Sequence, residues 1–134
     1  MIWNRFAVYK RGQFDVERSK QFMVCIYEML EKQGGKNGWL MIGDGQNVVG
    51  ENVNVQLIYS MLEVTEKYYP NGLKNSIPLD LPQFFIDIVK EILPHMSPDL
   101  LKTVVFMNST ELREKVLNED NIPAYKRALI GLKP

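Results

Sequence analysis

The feature that most constrains the fold is a run of apolar residues that recurs every three or four positions between residues 81 and 93. The run consists of Leu81, Phe84, Phe85, Ile88, Val89, Ile92 and Leu93. This period is typical of an amphipathic helix. We expect Asp80 or Leu81 to cap the helix and Pro94 to end it. Pro82 would lie in the first turn, where its missing N–H costs nothing.

The apolar surface of this helix is wider than packing on one side requires. At ~100° per residue, Ile86 lies beside Val89 and Leu93, so apolar side chains cover roughly half of the circumference. The helix could simply pack under a neighbouring loop, because most helices in globular proteins contribute to a core. Alternatively, it could form a mobile wall over a pocket for an apolar ligand.

Predicted strands alternate with predicted helices along the rest of the chain. The strand segments are Ile2–Tyr9, Trp39–Ile42, Leu73–Leu79 and Thr103–Met107. Further helices are predicted from the cap Asp15 to about Gln33, from Asn52 or Asn54 to Tyr69, from Ser97-Pro98, and from Ser109 or Thr110. Pro78 cannot donate a ladder hydrogen bond, so the third strand should end there or lie at an edge. This order predicts an α/β fold, a mainly parallel β-sheet with helices packed on it.

Length, charge and cysteine usage limit the functional classes. The 134 residues suit one domain, and 16 basic residues balance 16 acidic ones, so no global field attracts nucleic acid. No apolar run approaches the ~18 residues of a membrane span. The polar residues Asn4 and Arg5 interrupt the apolar segment Ile2–Tyr9, so this segment does not have the continuous apolar run of a signal sequence. Cys25 is the only cysteine, which excludes an internal disulfide and predicts a small buried apolar side chain in a reducing, intracellular setting.

Polar side chains follow three of the predicted elements at the point where a parallel sheet binds its ligands. Asp44, Asp80 and Asn108 each follow a predicted strand. Two carboxylates and an amide could hold Mg²⁺ or serve acid–base chemistry. Asp and Asn also favour turns and helix caps for local reasons, so these residues could equally be structural.

Other candidates for chemistry are weaker. His95 is the only histidine, and it follows a proline without a partner at motif spacing, so we expect it in a surface turn. Gly43-x-Gly45 lacks the third glycine of a dinucleotide-binding fingerprint. The tail from Ile122 carries Lys126, Arg127 and Lys133 and no acidic residue, and we expect it to be solvated.

Several segments together resemble the CRAL-TRIO lipid-binding domains. They are the aromatic strand Ile2–Tyr9, Gly38-Trp39-Leu40-Met41-Ile42-Gly43-Asp44-Gly45, Tyr68-Tyr69-Pro70, Leu81-Pro82 with Phe84-Phe85-Ile86-Asp87-Ile88-Val89-Lys90 and Leu93, Leu101-Lys102-Thr103-Val104-Val105-Phe106, and Ile122-Pro123. Their order and spacing agree with the family over nearly the whole chain. The arrangement is also similar to the CRAL-TRIO part of motile-sperm-domain-containing proteins.

The resemblance implies a single, partial CRAL-TRIO-like domain over residues 1–134 that lacks the family's N-terminal helical lobe. The sheet would form the floor of a ligand pocket, and the helix over residues 81–93 would form its lid. The ligand-binding residues implied in this way are Phe84, Phe85, Ile88, Val89, Ile92, Tyr68, Tyr69, Trp39, Met41, Phe106 and Lys102. The family's Gly-Gly after the closing Leu-Pro is replaced here by Ala124-Tyr125-Lys126-Arg127.

The resemblance also bears on the head group of the lipid. Lys102 lies where the family's Lys-Ile strand begins, and phosphoinositide-binding members use that lysine for phosphate. The alternative is a solvent-facing lysine that merely begins a strand. Asn71 replaces an acidic residue that helps to hold the inositol ring. We therefore expect a weak preference for anionic lipids such as phosphatidylinositol, and no strict phosphoinositide selectivity.

Three functions remain open at this point. The first is non-enzymatic binding of a hydrophobic lipid between sheet and lid helix, for intracellular transfer or sensing by a cytoplasmic, peripherally membrane-associated protein. It needs no cofactor or metal, and its partners are a lipid, transiently a membrane surface, and no nucleic acid. The second is a protein-interaction module on a degenerate lipid-binding fold. The third is a small metal-dependent enzyme using Asp44, Asp80 and Asn108.

Overall fold

In the computed structural model, the described residues form three strands and six α-helices. The structure describes residues 1–8, 10, 12–13, 15–33, 38–70, 72–115 and 118–129. The strands are β1 (Ile2–Arg5), β2 (Trp39–Asp44) and β3 (Leu73–Leu79), and the helices are α1 (Val16–Lys32), α2 (Val55–Tyr68), α3 (Gln83–Ile92), α4 (Pro98–Thr103), α5 (Ser109–Lys115) and α6 (Ala124–Leu129). Short 3-10 turns lie at Phe6–Val8, Gly50–Asn52, Leu93–His95 and Glu119–Asn121. The predicted α/β class is confirmed.

The sheet is parallel in both pairings, and its strand order is β1-β2-β3. Ile42 of β2 lies opposite Trp3 of β1 and opposite Ile77 of β3. One face carries Ile42, Ile77 and Leu79 and packs on Leu112 of α5. The opposite face packs on α1, α2 and α3. Both faces of β2 are therefore covered, as its continuous apolar sequence predicted.

Capping side chains begin three of the helices where the sequence predicts them. Asp15 accepts hydrogen bonds from the N–H groups of Glu17 at 2.8 Å and Arg18 at 3.1 Å. Asn54 caps α2 through the N–H of Leu57 at 3.1 Å. Ser97 caps α4 through the N–H of Leu100 at 3.2 Å. Each of these oxygens satisfies an N–H that has no partner within its helix.

The cap of α3 differs from the prediction. Pro82 occupies the N-cap position, and neither Asp80 nor Leu81 caps this helix. Asp80 instead adopts a left-handed backbone with a φ of 50°, a region that residues other than glycine seldom occupy but that aspartate tolerates better than most. This conformation turns its carboxylate away from α3 and towards the C-terminal part of the chain, where it has other partners.

The first strand is shorter than expected. It ends at Arg5 and continues as the 3-10 turn Phe6–Val8, while Tyr9 lies outside the described residues. The turn brings the Phe6 ring edge-on to Phe85 of α3, with ring centroids 5.3 Å apart. Phe6 also lies so close to Gly43 that a Cβ there would come within 2.7 Å of its ring. A packing contact made across the sheet thus overrides the strand propensity of this segment.

The predicted strand Thr103–Met107 is wrong as a strand. Thr103 ends α4, and only two isolated parallel bridges, Ser76 with Val104 and Leu79 with Met107, join this segment to β3. The carbonyl of Pro78 accepts from the N–H of Met107 at 3.1 Å, so the backbone of Pro78 faces this segment. Because proline has no N–H to return, a continuous ladder cannot form there. The expectation that Pro78 marks an edge is confirmed.

A cluster of aromatic rings joins α1, α2 and β2. The rings of Tyr27 and Trp39 stack with centroids 5.1 Å apart, and the ring of Tyr69 meets Tyr27 edge-on at 4.9 Å. The Tyr27 hydroxyl shares a hydrogen bond with that of Thr65 at 2.8 Å, and burial raises the pKa of Tyr27 to about 12. Contrary to prediction, Cys25 is exposed, because the buried face of α1 passes through Met23 and Tyr27 instead.

The C-terminal tail also differs from the expected solvated segment. It forms α6, and the side chain of Lys126 in this helix is only 1% exposed. Lys133 and Asn71 lie outside the described residues. Within the described residues, no helix has the length and apolar character needed to cross a membrane.

Candidate ligand-binding site

An apolar cavity of about 80 Å³ lies between the sheet and α3. The sheet contributes its floor, α2 one wall and α3 another. The lining residues are Asn4, Phe6, Met41, Gly43, Ile58, Met61, Leu62, Thr65, Leu73, Ser76, Pro78, Leu81, Phe85, Val89, Leu93 and Val104. Only three of these side chains are polar, so the cavity is suited to hydrocarbon and not to a charged solute.

The position of α3 explains its wide apolar surface. Phe85 and Val89 are buried and face the cavity. Ile92 is also buried but packs in the neighbouring core with Tyr69 and Trp39. Phe84 points outward and is 41% exposed. The helix therefore contacts two apolar regions and leaves one phenyl ring to solvent, which accounts for an apolar arc wider than a single packing face.

The structure brings together some of the predicted site residues and separates others. Phe85, Val89 and Met41 line the cavity. Ile88 and Phe106 pack beside it, against the cluster that contains Phe85 and Val89. The remaining ones lie elsewhere: Trp39, Tyr69 and Ile92 in the aromatic core, and Tyr68, Phe84 and Lys102 on the surface.

The position predicted for Lys102 is corrected by the fold. This lysine lies in the last turn of α4, on the surface, and not at the start of a strand. It does not line the cavity, although Val104 two residues later does. A role of Lys102 at a lipid head group therefore stays a prediction. His95 lies exposed in the 3-10 turn after α3, as expected of a surface turn histidine.

Sequence reasoning missed the contribution of α2 to the cavity. Ile58, Met61 and Leu62 line it from this helix. Their spacing of three and four residues is typical of a buried helix face, but periodicity does not say which side chains meet a cavity and which meet a filled core. Phe6 was missed as well, because its position depends on the unexpected turn after β1.

A second cluster of functional interest lies at the carboxyl ends of β2 and β3. The ammonium of Lys126 donates to Asp44 Oδ1 at 2.9 Å, to Gln46 Oε1 at 2.6 Å and to Asp80 Oδ2 at 2.7 Å. All three of its N–H donors are thereby used. We call this group, Asp44, Gln46, Asp80 and Lys126, the lysine cluster.

Further contacts hold the two carboxylates of the lysine cluster. The Tyr125 hydroxyl donates to Asp44 Oδ2 at 3.0 Å, and the guanidinium of Arg5 lies 4.6 Å above the Tyr125 ring. Both the N–H and the hydroxyl of Ser109 donate to Asp80. Burial acts to raise the pKa of Asp80, but the hydrogen bonds from Lys126 and Ser109 outweigh it, and the net pKa is lowered. Burial and the nearby Asp44 raise the pKa of Tyr125.

This arrangement bears on the alternative of a metal centre. Asp44 and Asp80 do converge, as parallel strands predict, but the cation between them is Lys126. Asn108 does not join them, since its side chain accepts from the N–H of Glu111 and caps α5. In the part of the chain that the structure describes, no three metal-ligating side chains come together.

The fold and cavity define a class: a parallel α/β domain that covers an apolar cavity with an amphipathic helix. The family model of the CRAL/TRIO domain matches residues 1–125 of this chain. The chain therefore belongs to the CRAL/TRIO domain family, a family of lipid-binding and lipid-transfer domains. No curated protein matches the chain.

Proposed function

We propose that this domain binds one hydrophobic lipid in the cavity between the sheet and α3, and that it transfers or senses this lipid at intracellular membranes. The observation that carries the proposal is the lining of the cavity. It is apolar apart from Asn4, Thr65 and Ser76. The hydroxyl of Thr65 already donates to the carbonyl of Met61 at 2.9 Å. Family membership supports the same ligand class.

Accommodation of a whole lipid in this cavity requires α3 to move. The cavity of about 80 Å³ is smaller than the ~300–1,000 Å³ of typical ligand pockets. The two ends of α3 favour movement as a unit. Asp80, with its φ of 50°, precedes the helix, and the 3-10 turn Leu93–His95 follows it. Chain segments at element ends commonly absorb the dihedral changes of lid opening.

The outer face of α3 fits a contact with the membrane during exchange. Phe84 exposes its ring on the first turn of this helix. An exposed aromatic side chain on the proposed lid can enter the interface of a bilayer. In this proposal the membrane stabilises the open position of α3, and the lipid then replaces the contacts that Phe85 and Val89 make with the sheet.

A cavity-filling variant tests the proposal. Val89→Phe places extra carbon atoms inside the cavity, whereas Val55→Phe makes the same change on an exposed position of α2. We expect the purified wild-type protein to yield a lipid by organic extraction and mass spectrometry, and to take up labelled lipid from vesicles. Val89→Phe should lose most of this uptake while remaining folded by circular dichroism, and Val55→Phe should retain it.

A folded wild-type protein that contains no lipid and takes up none from vesicles of phosphatidylinositol or phosphatidylcholine would contradict the proposal. That outcome would favour the second function, a protein-interaction module on the same fold. Metal-dependent turnover would favour the third function, an enzyme.

A further inference from the structure

A second and larger cavity, of about 380 Å³, lies at the β1 edge of the sheet. We call it the β1-edge cavity. Its volume falls within the ~300–1,000 Å³ range of ligand pockets. The inner wall is apolar and consists of Ile2, Met23, Ile26 and Leu57 from β1, α1 and α2. Phe22 of α1 also lines this cavity, and its ring is 68% exposed.

The β1-edge cavity and the cavity under α3 share a wall. Asn4, Met41 and Met61 line both of them. Methionine side chains are unbranched and change rotamer at low cost, so they adapt to whatever they contact. If the side chains of Met41 in β2 and Met61 in α2 moved, the two cavities would join into one passage along this face of the sheet.

The mouth of the β1-edge cavity is polar and carries a cation. Gln13, Arg18 and Ser19 line it. The guanidinium of Arg18 is exposed and takes part in no ion pair within the described part of the chain. Asp15 also lies there, but its Oδ1 accepts from two N–H groups at the start of α1. A guanidinium fork beside an apolar wall suits a carboxylate or phosphate attached to a hydrocarbon chain.

We propose that the β1-edge cavity binds a single-chain anionic amphiphile, with its head group on Arg18 and its chain passing between Met41 and Met61 into the cavity under α3. The proposal extends the lipid-binding function proposed above and rests on it. A single chain is inferred because the shared wall opens by the movement of only two side chains. The head group is defined by its charge, which a fatty acid and a lysophospholipid supply equally.

Three probes separate the contributions of head and chain. Oleate carries a carboxylate, oleoyl lysophosphatidic acid carries a phosphate, and oleyl alcohol carries neither. We expect Arg18→Gln to weaken both anionic probes about tenfold, the scale of one charged hydrogen bond, and to leave oleyl alcohol unchanged. Lys115→Gln removes an exposed charge outside both cavities and should change none of the three affinities, whereas Lys102→Gln tests the alternative head-group position at α4.

The passage is tested with fatty acids of increasing length. Each added methylene that enters an apolar site should improve affinity up to ~fourfold, and in the wild type this gain should continue from 10 to about 18 carbons. Met61→Trp obstructs the shared wall, so its affinities should reach a plateau at a shorter chain. Val55→Trp, on the exposed side of α2, should keep the wild-type dependence. Circular dichroism melts confirm that each variant folds.

The outcomes separate this inference from the function on which it rests. If no variant or wild type takes up any lipid, the lipid-binding function itself fails. If wild type takes up lipid and Val89→Phe abolishes it, but Arg18→Gln spares the anionic probes, the β1-edge site is wrong. An anionic preference lost in Lys102→Gln instead would place the head group at α4. An unchanged dependence on chain length in Met61→Trp would exclude the passage.

Discussion

Removing the charge of Lys126 should destabilise the domain strongly. Lys126→Met keeps an unbranched side chain but leaves Asp44, which is 1% exposed, without its cation. Breaking a buried ion pair from one side costs about 3–5 kcal/mol. Asp80 adds less, because its side chain is 21% exposed and keeps both donors of Ser109. For a chain of 134 residues, this loss corresponds to a fall in Tm of about 10–18 °C.

Urea denaturation and thermal melts measure the effect. Lys102→Met makes the same change at an exposed lysine of α4 and should alter the free energy of unfolding by less than about 0.5 kcal/mol. Adding Asp44→Asn to Lys126→Met removes the unpaired carboxylate and should restore roughly 1–2 kcal/mol. If Lys126→Met costs less than about 1 kcal/mol, or if Asp44→Asn restores nothing, the lysine cluster is not the electrostatic centre described here.

Three further changes have defined outcomes. Phe85→Asp would bury an unpaired carboxylate against Phe6, so it should lower the free energy of unfolding by several kcal/mol and unfold the domain. A soluble variant that melts cooperatively would show instead that water can reach this position. Gly45→Ala would drive a methyl group into Leu81, and we expect a loss of about 1–3 kcal/mol in urea titrations; Gly50→Ala, which meets open space, is its control. Because the pKa of Asp80 is lowered on folding, its stabilisation is present above the pKa of the unfolded chain and is lost as the pH falls through the folded pKa. The difference in unfolding free energy between wild type and Asp80→Asn should therefore shrink below about pH 4, and a difference independent of pH would contradict this.

Local patterns predicted much of the fold. The caps Asp15, Asn54 and Ser97 act within two or three residues of their own position, so the sequence near each of them carries the full signal. The wide apolar arc of α3 likewise indicated contacts on more than one side. Two of its residues, Phe85 and Val89, line the cavity, and a third, Ile92, packs in the core.

The features that were not predicted depend on contacts between distant parts of the chain. Lys126 contacts partners 82 and 46 residues earlier in the chain. The residues next to it in the sequence are typical of a solvated basic tail and give no sign of these contacts. The turn at Phe6 follows from packing across the sheet, and the absence of a strand around Val104 follows from the backbone of Pro78. Trp39 and Tyr69 were predicted at the ligand site but lie in the aromatic core. The sequence pattern around an aromatic residue is the same in a filled core as beside a cavity, so it could not distinguish the two positions.

The missing N–H of Pro78 has a consequence for the open position of α3 proposed above. An exposed strand edge offers donors and acceptors to another molecule and can begin edge-to-edge aggregation. On the outer edge of β3, the carbonyls of Ser76 and Pro78 and the N–H of Asp80 already bond to residues 105–107. If that segment detaches during opening, Pro78 leaves a gap in the row of donors, so a strand from a second molecule cannot form a continuous ladder there. An edge interrupted in this way is a poorer template for polymerisation than an unbroken one.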